Sequence, residues 1–217
     1  MNIMTPEKEL QTKKAEMAKI LIKIDALKFG VFKLTSGKSS PYYIDLRIVP
    51  SFPDAFKQII DFYTEQITQQ IGTDKFDRIA GVPIAGIPFA SQIAYNLKKP
   101  FLYVRKGIRR HGRKRRVEGI LVSGDRVLII DDLVTTGLNM RKAADAIRAE
   151  GGVVTDAVAF LDREEGGKTK LTKDGLKLNA LMKISEVAKI LFETDAIDEE
   201  SYKTIMKQIK KEKPLQS

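Results

Sequence analysis

The sequence predicts an α/β protein, an open, mainly parallel sheet flanked by helices, with its ligand site at the carboxyl ends of the strands. Three observations predict it. Short apolar runs near 77–82, 100–105, 126–131 and 153–161 alternate with helical periodicity over 87–97 and 138–149, the pattern of parallel β-α-β units. Residues 127–130 are apolar at every position, as a central strand covered on both faces requires. A chain of 217 residues with 43% apolar content is long enough for one substantial core.

The elements follow in order. Thr5 then Pro6 reads as an N-cap and first helical position, with Leu10, Met17, Leu21 and Ile24 near one face of the helix. Residues 28–47 alternate around a Ser-Gly-Lys-Ser-Ser turn, so a hairpin outside the main sheet is expected. Phe56, Ile59, Ile60, Tyr63, Ile67 and Ile71 recur at three- and four-residue steps and Gly72 ends that helix. Gly151-Gly152 closes the helix over 138–149. A strand near 176–184, a helix capped by Ser185 and a charged helix from Asp198 complete the chain. One domain over 1–217 is expected. Its core is at about 51–164, and residues 1–50 with about 165–217 form a small N-terminal/C-terminal hood and flanking helices.

Composition narrows the chemistry. With no cysteine and His111 as the single histidine, thiol chemistry and multi-histidine metal clusters are excluded. The N-terminus lacks an apolar signal core and no apolar stretch approaches a membrane span, so a cytoplasmic protein with no membrane partner is expected. The net charge is +10, and residues 105–116 carry eight Arg or Lys and no acid, leaving only +2 to the remainder. Such a run is ordinarily a solvated face. Eight cations repel one another, however, and closing over a polyanion would relieve that cost.

The stretch "VLIIDDLVTTG" concentrates the functional signal. It places Asp131 and Asp132 where the apolar run ends, followed by Thr135, Thr136 and Gly137 before a helix. Free backbone N–H groups and hydroxyls at a helix N-terminus hold phosphate. Two carboxylates repel phosphate but accept hydrogen bonds from sugar hydroxyls. A ribose 5-phosphate satisfies both halves, and the carboxylates also lower the energy of positive charge developing at the anomeric carbon. Neither a Walker A pattern nor G-x-G-x-x-G is present. The bland reading, a strand end and a helix cap, explains the acids but leaves the Thr-Thr-Gly turn without a purpose.

That stretch resembles the phosphoribosyl pyrophosphate (PRPP) signature of type I phosphoribosyltransferases. Three further stretches, "FGVFKLTSGKSSPYYIDLR", "VRKGIRRHG" and "FLDRE", together with "GVPIAGIPFA", are similar to the orotate phosphoribosyltransferase family, over roughly residues 20–165. The resemblance implies the type I fold and transfer of ribose 5-phosphate from PRPP to orotate, giving orotidine 5′-phosphate in pyrimidine (UMP) biosynthesis. It implies Mg²⁺ as cofactor, held mainly by PRPP oxygens with no confident side-chain ligand. It implies a homodimer in which the 105–116 loop is shared across subunits. By the same resemblance Arg105, Lys106, Arg109 and His111 act on the departing pyrophosphate and Asp131 and Asp132 hold the ribose hydroxyls. Leu133, Val134, Thr135, Thr136, Gly137, Leu138 and Asn139 surround the PRPP phosphate, and Thr135, Arg163 and Tyr43 meet orotate.

Plainer roles exist for single residues. Arg163 can pair with Asp162 or Glu164, His111 can be an exposed loop histidine, and Tyr42 and Tyr43 can be wall or core. The sequence also departs from the family pattern. Thr35, Ala85 and Arg109 stand where that family carries lysines, and an Arg holds phosphate differently from a Lys. Two other functions remain open at this point. One is a phosphoribosyltransferase for another base. The other is a PRPP-sensing regulator that binds nucleic acid through 105–116, against which stand the short stretch before Lys28 and the lack of aromatics in the basic run.

Overall fold

The computed structural model describes residues 5–33, 37, 39–107 and 115–212. Leu34, Thr35, Arg109 and His111 lie outside the described residues. Helix α1 (Pro6–Lys23) begins as the sequence predicts, with the Thr5 hydroxyl accepting from the Lys8 N–H. Strands β1 (Leu27–Lys33) and β2 (Ser39–Ile44) pair antiparallel as a separate two-stranded sheet. A 3-10 helix (Leu46–Ser51), not foreseen from the sequence, leads into α2 (Pro53–Gln70).

The main sheet follows: β3 (Arg78–Gly81), α3 (Gly86–Asn96), β4 (Phe101–Val104), β5 (Val117–Glu118), β6 (Val127–Val134), α4 (Leu138–Ala149), β7 (Asp156–Asp162), α5 (Gly167–Lys173) and β8 (Lys177–Lys183). Helices α6 (Ile184–Glu193) and α7 (Glu199–Glu212) finish the described chain. The strand order is β5-β4-β3-β6-β7-β8, parallel except for the short antiparallel β5 at one edge. This is the open, mainly parallel sheet the periodicity predicts.

Both faces of that sheet are covered, which explains why β6 tolerates no polar residue in its first half. Leu128 and Ile130 face a core shared with α1, α2, α3, α6 and α7, while Val127 and Ile129 face a second core under α4 and α5. Each such side chain, fully buried, contributes about 1.5–3 kcal/mol relative to exposure. No helix among the described residues is long and apolar enough to cross a membrane.

Two expectations are corrected. Ser185 does not cap α6: the cap is Lys183, whose N–H donates to the Glu186 carboxylate at 2.9 Å, and Ser185 sits inside the first turn with its own N–H bonded to Glu164. The strand predicted to stop at 131 runs on to Val134, because Asp131, Leu133 and Val134 continue the parallel ladder opposite Ala159, Leu161 and Asp162 of β7. Backbone pairing extends the strand past the point where its apolar side chains give out.

Candidate active site

The floor of the site is the carboxyl half of β6. Asp131 and Asp132 are buried, 7% and 6% exposed, because two helices close on their strand. The Tyr63 phenol, on α2, donates to the Asp131 carbonyl. The Asp132 N–H donates to the Asp131 carboxylate at 3.0 Å. Helix α3 begins so close that a Cβ on Gly86 would lie 2.6 Å from the Ile130 carbonyl and 2.9 Å from the Asp131 Cα, so only glycine fits there. Burial pushes the Asp131 carboxyl well above the ordinary carboxylate range, and the neighbouring Asp132 charge adds to it. Burial also raises Asp132, opposed by hydrogen bonding and by the Arg47 charge.

Beyond Val134 the chain turns through Thr135, Thr136 and Gly137 into α4, with Gly137 left-handed at φ 78° as its N-cap. Helix α5, absent from the sequence-based expectation, supports this turn. Leu171 occupies the space where a Gly137 Cβ would stand, and Gly167 lies so near the Thr135 carbonyl that a Cβ would come within 2.7 Å. The turn therefore presents its backbone N–H groups and hydroxyls at the start of a helix, the arrangement that holds an anion.

These residues open onto one cleft of about 900 Å³. Asp131, Asp132, Leu133 and Val134 line it together with Thr135, Thr136, Gly137, Leu138 and Asn139. Tyr43 and Lys33 come to it from the hairpin, Pro83, Ile84 and Ala85 from the turn before α3, and Lys106 from the end of β4. The Pro83–Ile84 peptide bond is cis. Arg163, just past β7, also lines the cleft. Its guanidinium sits 5.3 Å over the Tyr42 ring with Nε 2.9 Å from Glu165, while its N–H donates to the Val134 carbonyl. The pairing shown for its side chain is with Glu165, a partner the sequence did not single out.

Arg105 is turned elsewhere, its Nη1 pairing with Glu118 at 3.1 Å, and it does not line the cleft. Arg109 and His111 lie outside the described residues. Sequence reasoning missed Arg47. It lines the cleft from the 3-10 helix and is gripped by Asp45 through Nε–Oδ1 and Nη2–Oδ2 contacts of 2.7 Å each. It ends the family-like stretch "FGVFKLTSGKSSPYYIDLR", but the Asp-Leu-Arg triplet is too short to show a period. Chemically, the cleft offers an anion-binding turn, two carboxylates beside it, and cations on its walls.

Residues 53–192 match the family described as Phosphoribosyl transferase domain. The orotate phosphoribosyltransferase of Staphylothermus marinus is 44% identical over 186 residues, 86% of this chain and 89% of that protein. The crystal structure of orotate phosphoribosyltransferase from Aeropyrum pernix aligns at a TM-score of 0.73 with 31% identity, covering 84% of this chain and 99% of that one. The structure of Leishmania donovani UMP synthase aligns at a TM-score of 0.82 with 32% identity over 94% of this chain, which spans only 44% of the UMP synthase chain.

Proposed function

This chain belongs to the orotate phosphoribosyltransferase family, and from that premise we propose how its cleft carries the reaction of PRPP with orotate to give orotidine 5′-phosphate and pyrophosphate. The observation that carries the reading is the buried Asp131-Asp132 pair continuing directly into the residue 135–137 turn inside one cleft. The turn takes the 5′-phosphate and the carboxylates take the ribose hydroxyls. Arg163, stacked over Tyr42, takes the anionic planar base with its guanidinium fork, and Thr135 and Tyr43 complete that wall.

In the reaction the C1–O bond to diphosphate breaks with its electron pair leaving on oxygen. The orotate N1–C1 bond forms, and the N1 proton passes to diphosphate or solvent. Positive charge at C1 is stabilised by the two carboxylates and negative charge on diphosphate by cations, so catalysis is mainly placement and electrostatics. Lys106 serves the diphosphate from the cleft wall, and the same role is assigned to Arg105, Arg109 and His111.

Magnesium enters as a companion of PRPP. Among the described residues no group of three or more acids or histidines could hold a metal. Asp131 and Asp132 offer two carboxylates, a set that fits a hard cation bringing most of its oxygen ligands with the substrate. When bound, the ion neutralises charge on the departing diphosphate.

A homodimer belongs to the same reading. Mixing His111→Ala protein with Asp132→Asn protein tests the shared loop: recovered activity places the loop in trans, and none places it in cis.

Supplying PRPP with orotate, uracil, adenine and hypoxanthine in turn tests the base assignment. Orotate alone is expected to turn over, and Arg163→Ala is expected to raise the KM for orotate about 10- to 100-fold with PRPP little affected. Turnover of a purine in preference to orotate would overturn the assignment.

A further inference from the structure

We infer that Arg47 is a diphosphate-binding residue of this cleft, braced for that task by Asp45; the inference rests on the proposal that Asp131 and Asp132 hold the ribose hydroxyls. Arg47 is distinctive among the described cations of the cleft wall. Lys33 and Lys106 end in single ammonium groups, and Arg163 is enclosed, its side chain 13% exposed. Arg47 is 66% exposed, yet its fork is fixed by two 2.7 Å contacts to Asp45. Asp45 is itself tied down. Its backbone N–H donates to the Ala26 carbonyl, and its carboxylate also accepts the Arg47 N–H at 3.1 Å. The result is an oriented cation on the cleft wall, whose N–H groups on Nη1 and the outer side of Nη2 lie outside the Asp45 contact.

The other assignments in the cleft, together with the stereochemistry of PRPP, indicate the ligand group. Arg47 lines the same cleft as Asp132 and the 83–85 turn. In PRPP the 1-diphosphate is on the α face of the ribose, the face that also carries the 2′ and 3′ hydroxyls. The base displaces it from the opposite face. Within that cleft the 135–137 turn is assigned to the 5′-phosphate and Arg163 to the base, which leaves the diphosphate as the anionic group for Arg47. Guanidinium suits this group because it meets two phosphate oxygens at once. The Asp45 contact keeps that fork oriented when the site is empty, so less side-chain freedom is lost on binding.

Calorimetric titration of the wild type, Arg47→Gln, Arg47→Lys, Asp45→Asn and Asp132→Asn proteins with pyrophosphate, PRPP and ribose 5-phosphate, all with Mg²⁺, tests this. Arg47→Gln is expected to weaken pyrophosphate and PRPP about 10- to 100-fold while ribose 5-phosphate stays within about twofold. In steady-state assays its KM rises for PRPP and not for orotate. Arg47→Lys and Asp45→Asn are expected to fall between, the first keeping charge without the fork and the second keeping the fork without its brace. Equal weakening of ribose 5-phosphate, a rise confined to the orotate KM, or no change in any ligand would overturn the assignment. Asp132→Asn separates the two claims. If it leaves ribose 5-phosphate binding intact, the placement of the ribose is wrong whatever Arg47 does. If it abolishes that binding while Arg47→Gln changes nothing, only the Arg47 role fails.

Discussion

The Tyr63 phenol and the Asp131 backbone carbonyl, 68 residues apart in sequence, are joined by a buried hydrogen bond. It ties α2 to the middle of β6 at the residue that begins the acidic pair. Tyr63 is fully buried between Phe89 and Phe160, so its hydroxyl is available to nothing in solvent. Tyr63→Phe is expected to cost about 1–3 kcal/mol of stability and to lower turnover more than it lowers substrate binding. Denaturant melts with parallel kinetics read both, and a stability equal to wild type would show that the bond holds nothing.

The acidic pair itself destabilises the empty protein at neutral pH. Both carboxyls are raised by burial, so the folded state holds protons that the unfolded chain has already released. Stability from this source is complete below the unfolded value of about 4 and is lost as pH rises through the raised folded values. Asp131→Asn or Asp132→Asn should therefore raise the melting temperature, and the gain should grow as pH rises above about 4. Turnover in either variant should fall at least about 100-fold. Melting curves at several pH values check the sign: a gain that shrinks with rising pH contradicts it.

Gly86 sets the distance between α3 and the acids. A methyl there would stand 2.6 Å from the Ile130 carbonyl, so Gly86→Ala must move either α3 or β6. A displacement near 1 Å at the site costs about 100-fold in rate, and overpacking costs about 1–3 kcal/mol in stability. A variant with wild-type kcat/KM would mean that the contact relaxes harmlessly.

The sequence made the sheet legible because its signal is long-range in pattern. Residues 127–130 and 157–161 are buried on both faces, and α2 repeats its apolar positions over five turns, so periodicity alone located them. Three short elements, the 3-10 helix, β5 and α5, carry too few residues to show any period. They contribute much of the site's scaffolding: Arg47 from the first, the edge that engages Arg105 through Glu118 from the second, and the support beneath residues 135–137 from the third. The end of β6 was misplaced for a related reason. Asp131 and Asp132 are polar, and only the partner strand β7 shows that their backbone remains in the ladder.

Chelation checks the role given to the metal. Excess chelator should abolish turnover and weaken PRPP binding, with ribose 5-phosphate binding much less affected, because the ion is proposed to ride on the diphosphate. Added Mg²⁺ should restore activity. Full turnover in chelator would remove magnesium from the account.

We propose that Asp131 and Asp132, buried at the carboxyl end of β6, hold the ribose of PRPP while orotate replaces diphosphate. The most direct measurement is the loss of orotate's ultraviolet absorbance on mixing enzyme, PRPP, orotate and Mg²⁺, with the double variant Asp131→Asn/Asp132→Asn alongside. Turnover by the wild type is expected, with its loss in a variant that still folds. Wild-type turnover fully retained by the variant would contradict the role of the acids, and no turnover of orotate by a wild type that binds PRPP would contradict the reaction.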